Sequence, residues 1–259
     1  MKDSFYVVLP SNSSMNIYPE NTTTRYMTYL PQQIHLTGEW EVALTEVHIP
    51  LTFQHLKPDD EEVKVVFFQN LEINYIRYLS PGVYKELDSL IHELNSLDPI
   101  NTHLKFSIDC GCYVEIALTC QCESAHTLIM ESKLNKILGF ENLEGVNEII
   151  MNNMNRRYRG KHPANLLNGL PNFIMIYTNI LEHQTTGDVR TPLLRTFPLD
   201  LHHFTYGSFA IKNFAQPMYL PLLPALFRSI EIDIRDQFGK PIPFDYGTLT
   251  VTLHFKRAN

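Results

Sequence analysis

Charge is scarce in this sequence. Asp, Glu, Lys and Arg make up 19% of its 259 residues, with 21 basic against 28 acidic groups and a formal net charge of -7. A surface with that balance repels nucleic acid as a whole, which excludes genome packaging by bulk charge neutralisation. Long apolar runs are also missing: Leu170 to Ile180 and Tyr219 to Phe227 are broken by Asn or Pro and fall well under the ~18 residues of a membrane span. No membrane-spanning segment is expected. The 11 glycines are spread along the chain, and neither Gly-x-x-x-x-Gly-Lys-Ser/Thr nor Gly-x-Gly-x-x-Gly occurs, so the common phosphate-cradling loops are excluded. Gly-x-Ser-x-Gly, His-Glu-x-x-His and His-x-His are absent too, Gly207-Ser208 lacking the second glycine of a nucleophile elbow. No enzyme activity, catalytic residue or cofactor site is assigned. The opening Met1-Lys2-Asp3-Ser4-Phe5-Tyr6 lacks the basic-then-apolar order of a secretory signal. The chain is therefore expected to be made in the cytoplasm and not secreted, with the sequons at Asn12 and Asn21 incidental.

Cysteine is sparse too. Four cysteines come as Cys110-x-Cys112 and Cys120-x-Cys122, a count that suits a Cys₄ zinc site. An extended Tyr113 to Thr119 would hold the pairs roughly 26 Å apart at ~3.3 Å per residue, so reduced free thiols and no metal are the expectation. His202-His203 are adjacent and read as polar loop residues. The acidic run Asp59-Asp60-Glu61-Glu62 reads as a solvated hairpin tip in preference to a calcium site. The basic run Arg156-Arg157-Tyr158-Arg159-Gly160-Lys161-His162 runs against the acidic balance. It reads first as a solvated or subunit-contacting loop, and second as a weak contact with packaged genome.

What the sequence has in abundance is alternation. Leu249, Val251, Leu253 and Phe255 alternate with Thr248, Thr250, Thr252, His254 and Lys256, and Ile230, Ile232 and Ile234 with Glu231, Asp233 and Arg235. Each is a strand with one dry face. Alternation or β-branched and aromatic density recurs at Phe5 to Leu9, Trp40 to Ile49, Val63 to Phe68, Leu71 to Tyr78, Leu104 to Ile108, Tyr113 to Leu118 and Phe173 to Ile180. Two segments have helical spacing. One carries Leu87, Leu90, Ile91, Leu94 and Leu97; the other carries Leu134, Ile137 and Leu138, with Ser132 as the expected N-cap and Gly139 just past the end. Strands with two helices in the connections do not make βαβ units. The expectation is an all-β antiparallel sandwich in one domain over 1–259, with a long surface loop at about 141–172.

Ordered blocks across most of the chain carry a resemblance. Phe5-Tyr6-Val7-Val8-Leu9-Pro10-Ser11-Asn12 leads to Leu30-Pro31 and Trp40-Glu41-Val42-Ala43-Leu44-Thr45-Glu46, then Pro81-Gly82-x-Tyr84 and Leu134-Asn135-Lys136-Ile137-Leu138-Gly139-Phe140. Ile176-Tyr177-Thr178-Asn179-Ile180, Gly187-Asp188, Pro192-Leu193-Leu194-Arg195, Ile230 to Phe244 and Leu253-His254-Phe255-Lys256-Arg257 complete the series. In their order and spacing these blocks resemble the penton, or minor capsid, proteins of Polinton (Maverick) elements and adintoviruses. The resemblance implies a single jelly-roll, a homopentamer at each icosahedral vertex of a virion, and double jelly-roll major capsid proteins as neighbours. No extra domain inserted for host attachment is expected in this sequence, so receptor binding is not assumed. Met218 to Pro224 reads equally as a subunit contact and as a corner packed on its own core. The competing class is a free jelly-roll binding module for a carbohydrate or receptor.

Overall fold

The structure, a computed structural model, describes residues 3–54, 56, 64–69, 73–121, 125–140, 148–152, 154–200, 204–223 and 225–258. The chain opens with β1 (Ser4–Pro10), β2 (Arg25–His35) and β3 (Trp40–Pro50). It continues through β4 (Lys64–Gln69), β5 (Ile73–Tyr78), α1 (Leu87–Ser96), α2 (Ile100–His103), β6 (Leu104–Ile108), β7 (Val114–Leu118), β8 (His126–Met130) and α3 (Ser132–Leu138). The next strands are β9 (Glu148–Met151), β10 (Arg157–Arg159), β11 (Phe173–Thr178), β12 (Gln184–Thr186), β13 (Val189–Thr191) and β14 (Leu193–Pro198). The last are β15 (Phe209–Asn213), β16 (Leu220–Pro221), β17 (Leu226–Arg235) and β18 (Thr250–Arg257).

Where the sequence suggested one domain over 1–259, contacts gather the chain into two compact units, Met1–Phe53 with Pro171–Asn259 and, between them in sequence, Gln54–Leu170. No composition shift marks either junction, because both units are built from the same kind of alternating strand. The first unit is a jelly-roll. One sheet runs β1-β18-β3-β15, with β16 also on β3, and the other runs β14-β11-β17-β2. Ranked along the chain, the four-plus-four path strands read 1-8-3-6 and 5-4-7-2, the order of two interlocked Greek keys. All pairings between these strands are antiparallel.

The expected dry faces line this core. Val251, Leu253 and Phe255 on one sheet and Ile230, Ile232 and Ile234 on the other are fully buried. The sheets meet where Phe227 stacks near Phe255, ring centroids 6.0 Å apart. They are also tied by the Tyr26 hydroxyl of β2, which donates to the Leu9 carbonyl of β1 at 2.8 Å in a buried site. Strand β3 shows why its apolar run does not alternate cleanly. Its register with β18 slips between Thr252 and Leu253, so Thr45 is an extra residue. Inward-facing positions change from Val42 and Leu44 to Val47 and Ile49. A β-bulge of this kind lets one strand keep both segments on the core face.

The second unit packs α1 and α3 with two antiparallel sheets, β5-β4-β8-β9 and β10-β7-β6. Helix α1 buries Leu90, Ile91 and Leu94, the stripe expected from its spacing. For α3 the N-cap is Glu131 and not Ser132, whose own backbone is already helical, while Gly139 closes the helix in the left-handed conformation at φ 79°. A Cβ at Gly139 would run into the His162 backbone carbonyl, so this position requires glycine for both reasons. The segment 141–172, expected to be a surface loop, carries β9, β10 and a 3-10 turn at Leu166–Gly169 among its described residues. Its polar Asn and Arg residues hid two strands whose inward positions are few. Among the described residues no helix is long and apolar enough to cross a membrane.

Candidate functional site

Two features stand out from the frame: apolar side chains left on the outer strands of the jelly-roll, and a cluster of metal-ligating groups in the second unit. Strands β1 and β15 form opposite edges of one sheet. Tyr6 and Val8 on the first are 63% and 57% exposed, and Phe209 and Ile211 on the second 58% and 59%. Alternation explains their direction: the partners that point the other way, such as Leu9, are in the core. Edge strands with large apolar residues are usually covered or charged in monomers, because they template association. Two different patches on one subunit are what a heterologous, ring-closing contact uses.

Over its described residues the Met218 to Pro224 segment lies against its own sheet, the second of the two readings. Leu220 and Pro221 pair with Val42 and Glu41 as β16, and the Tyr219 hydroxyl lies 2.7 Å from His254 Nδ1. Met218 and Leu223 remain exposed. An apolar groove of about 660 Å³ lies along β1 and β2, lined by Phe5, Val7, Leu30, Ile34, Leu36 and Trp40 among others. A second, of about 760 Å³, is crossed by ion pairs, Arg25 to Glu231 at 2.6 Å and Arg235 to Asp233 at 2.8 Å.

In the second unit Arg157–Arg159 of the basic run form β10. Arg157 pairs with Glu115 at 3.1 Å, and Arg159 bridges Asp109 and lies 4.1 Å from the Tyr113 ring centroid. Backbone and side-chain hydrogen bonds from Tyr113, Arg159 and Gly111 hold the Asp109 carboxyl below the usual carboxylate range. Arg156 donates to the Leu118 and Cys120 carbonyls at 3.2 and 2.7 Å. Tyr158 packs against Phe140, ring centroids 5.8 Å apart. These guanidinium groups neutralise or cap the unit's own strands, which leaves them less able to hold phosphates.

Cys110 and Cys112 are exposed free thiols in the turn between β6 and β7, as the sequence suggested. Cys120, expected to be a free thiol, is disulfide-bonded. The Asp59 to Glu62 run, His202-His203 and Cys122 lie outside the described residues.

What the sequence reading missed is the company Cys120 keeps. His103, the last residue of α2, and His126, the first of β8, bring their ring nitrogens and the Cys120 sulfur within 4.8 Å of one another. The sulfur is 3.2 Å from His126 Nε2. The Thr119 amide donates to the His103 carbonyl at 2.8 Å, and the Thr119 hydroxyl to the Thr102 carbonyl at 3.1 Å, pinning α2 to the end of β7. Phe67, fully buried, stacks on both imidazoles at 5.4 Å. His126 is itself fully buried; burial first, and the neighbouring His103 second, hold its pKa below the usual imidazole value. The neutral imidazole that results is the form that ligates metals.

No protein-family model matches the chain, and no curated protein matches it. Among solved structures it is similar to the crystal structure of selenomethionine-labelled mavirus penton protein. The two are 12% identical, with a TM-score of 0.49 over 98% of this chain and 100% of that one.

Proposed function

We propose that this chain is a structural subunit of an icosahedral virion: the vertex, or penton, protein, five copies of whose jelly-roll close a ring around the five-fold axis. The observation that carries the reading is the 1-8-3-6 and 5-4-7-2 strand order combined with apolar residues left exposed on opposite sheet edges. A ring needs two unlike patches per subunit and a rotation that closes; it needs no catalytic group. The ordered sequence blocks resembling Polinton and adintovirus pentons support the same role. They also supply the neighbours it implies, double jelly-roll major capsid proteins, and a place in the virion capsid.

Light scattering of the purified chain, alone and mixed with the major capsid protein of the same element, tests the reading, with particles viewed by electron microscopy. Five-fold rings, or shells whose vertices fill only when this chain is added, are expected. In the variant Val8→Lys with Ile211→Lys, ring formation or vertex filling is expected to be lost while the monomer stays folded. A chain that stays monomeric and leaves shells unchanged would overturn the reading in favour of a free jelly-roll binding module.

A further inference from the structure

We propose that the second unit carries a zinc site, made by His103, Cys120 and His126 once the Cys120 disulfide is reduced. The donor set is two imidazole nitrogens and one sulfur, which suits Zn²⁺ and disfavours the oxygen-seeking Ca²⁺ and Mg²⁺. With Zn–S near 2.3 Å and Zn–N near 2.0 Å, a tetrahedron places sulfur and nitrogen roughly 3.5 Å apart. The Cys120 sulfur and His126 Nε2 are 3.2 Å apart, and all three ligand atoms already fall within 4.8 Å of one another. Small adjustments suffice.

The three ligands sit on separate, anchored elements. His126 starts β8 in register with Gln69 of β4 and Met151 of β9. His103 is tied through Thr119 to the end of β7, and the Cys120 carbonyl is clamped by Arg156 at 2.7 Å. His103 Nδ1 is buried without a hydrogen-bond partner, a cost that a ligand at this point removes. Phe67 stacks on both imidazoles, an apolar wall that fixes the ring orientations and lowers the local dielectric around the ligands. Three protein ligands leave one position of the tetrahedron for water or a further side chain.

The chemistry has two states. In the oxidised state the sulfur is occupied in its disulfide. A dithiol of the kind that keeps the cytosol reducing attacks that bond; two electrons and two protons convert the disulfide to two thiols, and the reductant becomes a disulfide itself. Zn²⁺ then displaces the Cys120 thiol proton to solvent and binds the thiolate with the two neutral imidazoles. The second unit is thereby braced by metal in reducing surroundings and by a disulfide in oxidising ones, whatever the role of the jelly-roll.

The test uses the full chain, reduced under argon with a phosphine and freed of metal, then titrated with Zn²⁺ against a chromophoric chelator and separately with Co²⁺. One equivalent of zinc and a thiolate-to-cobalt charge-transfer band in the near ultraviolet are expected. Cys120→Ser should abolish the band. Cys120→Ser and His103→Gln should each weaken zinc binding by at least about 100-fold, since even outer-shell changes cost ~10–100-fold. His103 is partly exposed, so its variant is the one expected to keep the fold, checked by circular dichroism. The oxidised protein should bind no zinc at this site. Failure of the reduced, folded chain to bind zinc, or cobalt binding without a thiolate band, would overturn the proposal.

Discussion

Replacing Tyr26 by Phe tests the contact that ties the two sheets of the jelly-roll. The side chain is 1% exposed, and its hydroxyl donates to the Leu9 carbonyl at 2.8 Å. Phenylalanine keeps the ring's packing and deletes only the donor, leaving a buried carbonyl short of a partner; this costs about 1–3 kcal/mol. At ~2 kcal/mol, a unit of this size should lose ~4–8 °C of thermal midpoint. Tyr26→Ala also empties the ring's space and should cost ~3–5 kcal/mol. Trp40, the chain's only tryptophan, is in the same unit and nearly buried, so its fluorescence during urea unfolding reports this unit. Alkaline pH supplies a second readout. Burial pushes the Tyr26 phenol pKa up, so the folded value lies above the unfolded value of about 10. The stability this contributes is complete below pH ~10 and is lost as pH rises beyond it. The wild type should therefore lose stability above pH ~10 more steeply than Tyr26→Phe, and the two curves should converge. A variant within ~0.5 kcal/mol of wild type at neutral pH, with the same alkaline slope, would refute the reasoning.

Other expectations follow from single positions. Gly139→Ala combines a left-handed φ of 79° with a Cβ driven into the His162 backbone. It should cost at least ~2 kcal/mol and speed amide exchange across residues 132–140. Deleting Thr45 removes the extra residue and leaves regular alternation, with Val47 and Ile49, 0% and 1% exposed, still facing the core, so the cooperative Trp40 transition should survive. Thr45→Ala, which loses only the 3.1 Å hydrogen bond to the Thr252 carbonyl, should cost ~1 kcal/mol. His254 has its pKa lowered by burial and then by Lys256. Its contribution is therefore present above pH ~6.5 and lost as pH falls through the lowered folded value. Urea midpoints read by Trp40 should fall between pH 7 and 5, and less so in His254→Gln.

Much of the strand pattern in both units was legible wherever one strand face meets the core and the other meets solvent. The residues Ile230 to Ile234 and Leu249 to Phe255 announce β17 and β18, and Leu104 to Ile108 matches β6 end to end. Strands that break the rule were missed. In β8 His126, Thr127, Leu128 and Met130 are all buried, so no alternation exists to detect. Strand β2 carries Pro31 within its span, and β9 and β10 are too short for a period to show.

The sequence by itself determined the fold class, the spacing of α1 and the glycine stop of α3, because each follows from local periodicity or a single φ. It also determined, through its ordered blocks, the resemblance to capsid vertex proteins. Only the tertiary structure decided that residues 54–170 form a unit of their own between β3 and β11. It also decided that Arg157 and Arg159 of the basic run pair with Glu115 and Asp109, and that Cys120 shares a site with His103 and His126 in place of the other cysteine pair. Those facts depend on which strands pair across long stretches of chain, and side chains distant in sequence become ligands or ion-pair partners only after that pairing is made.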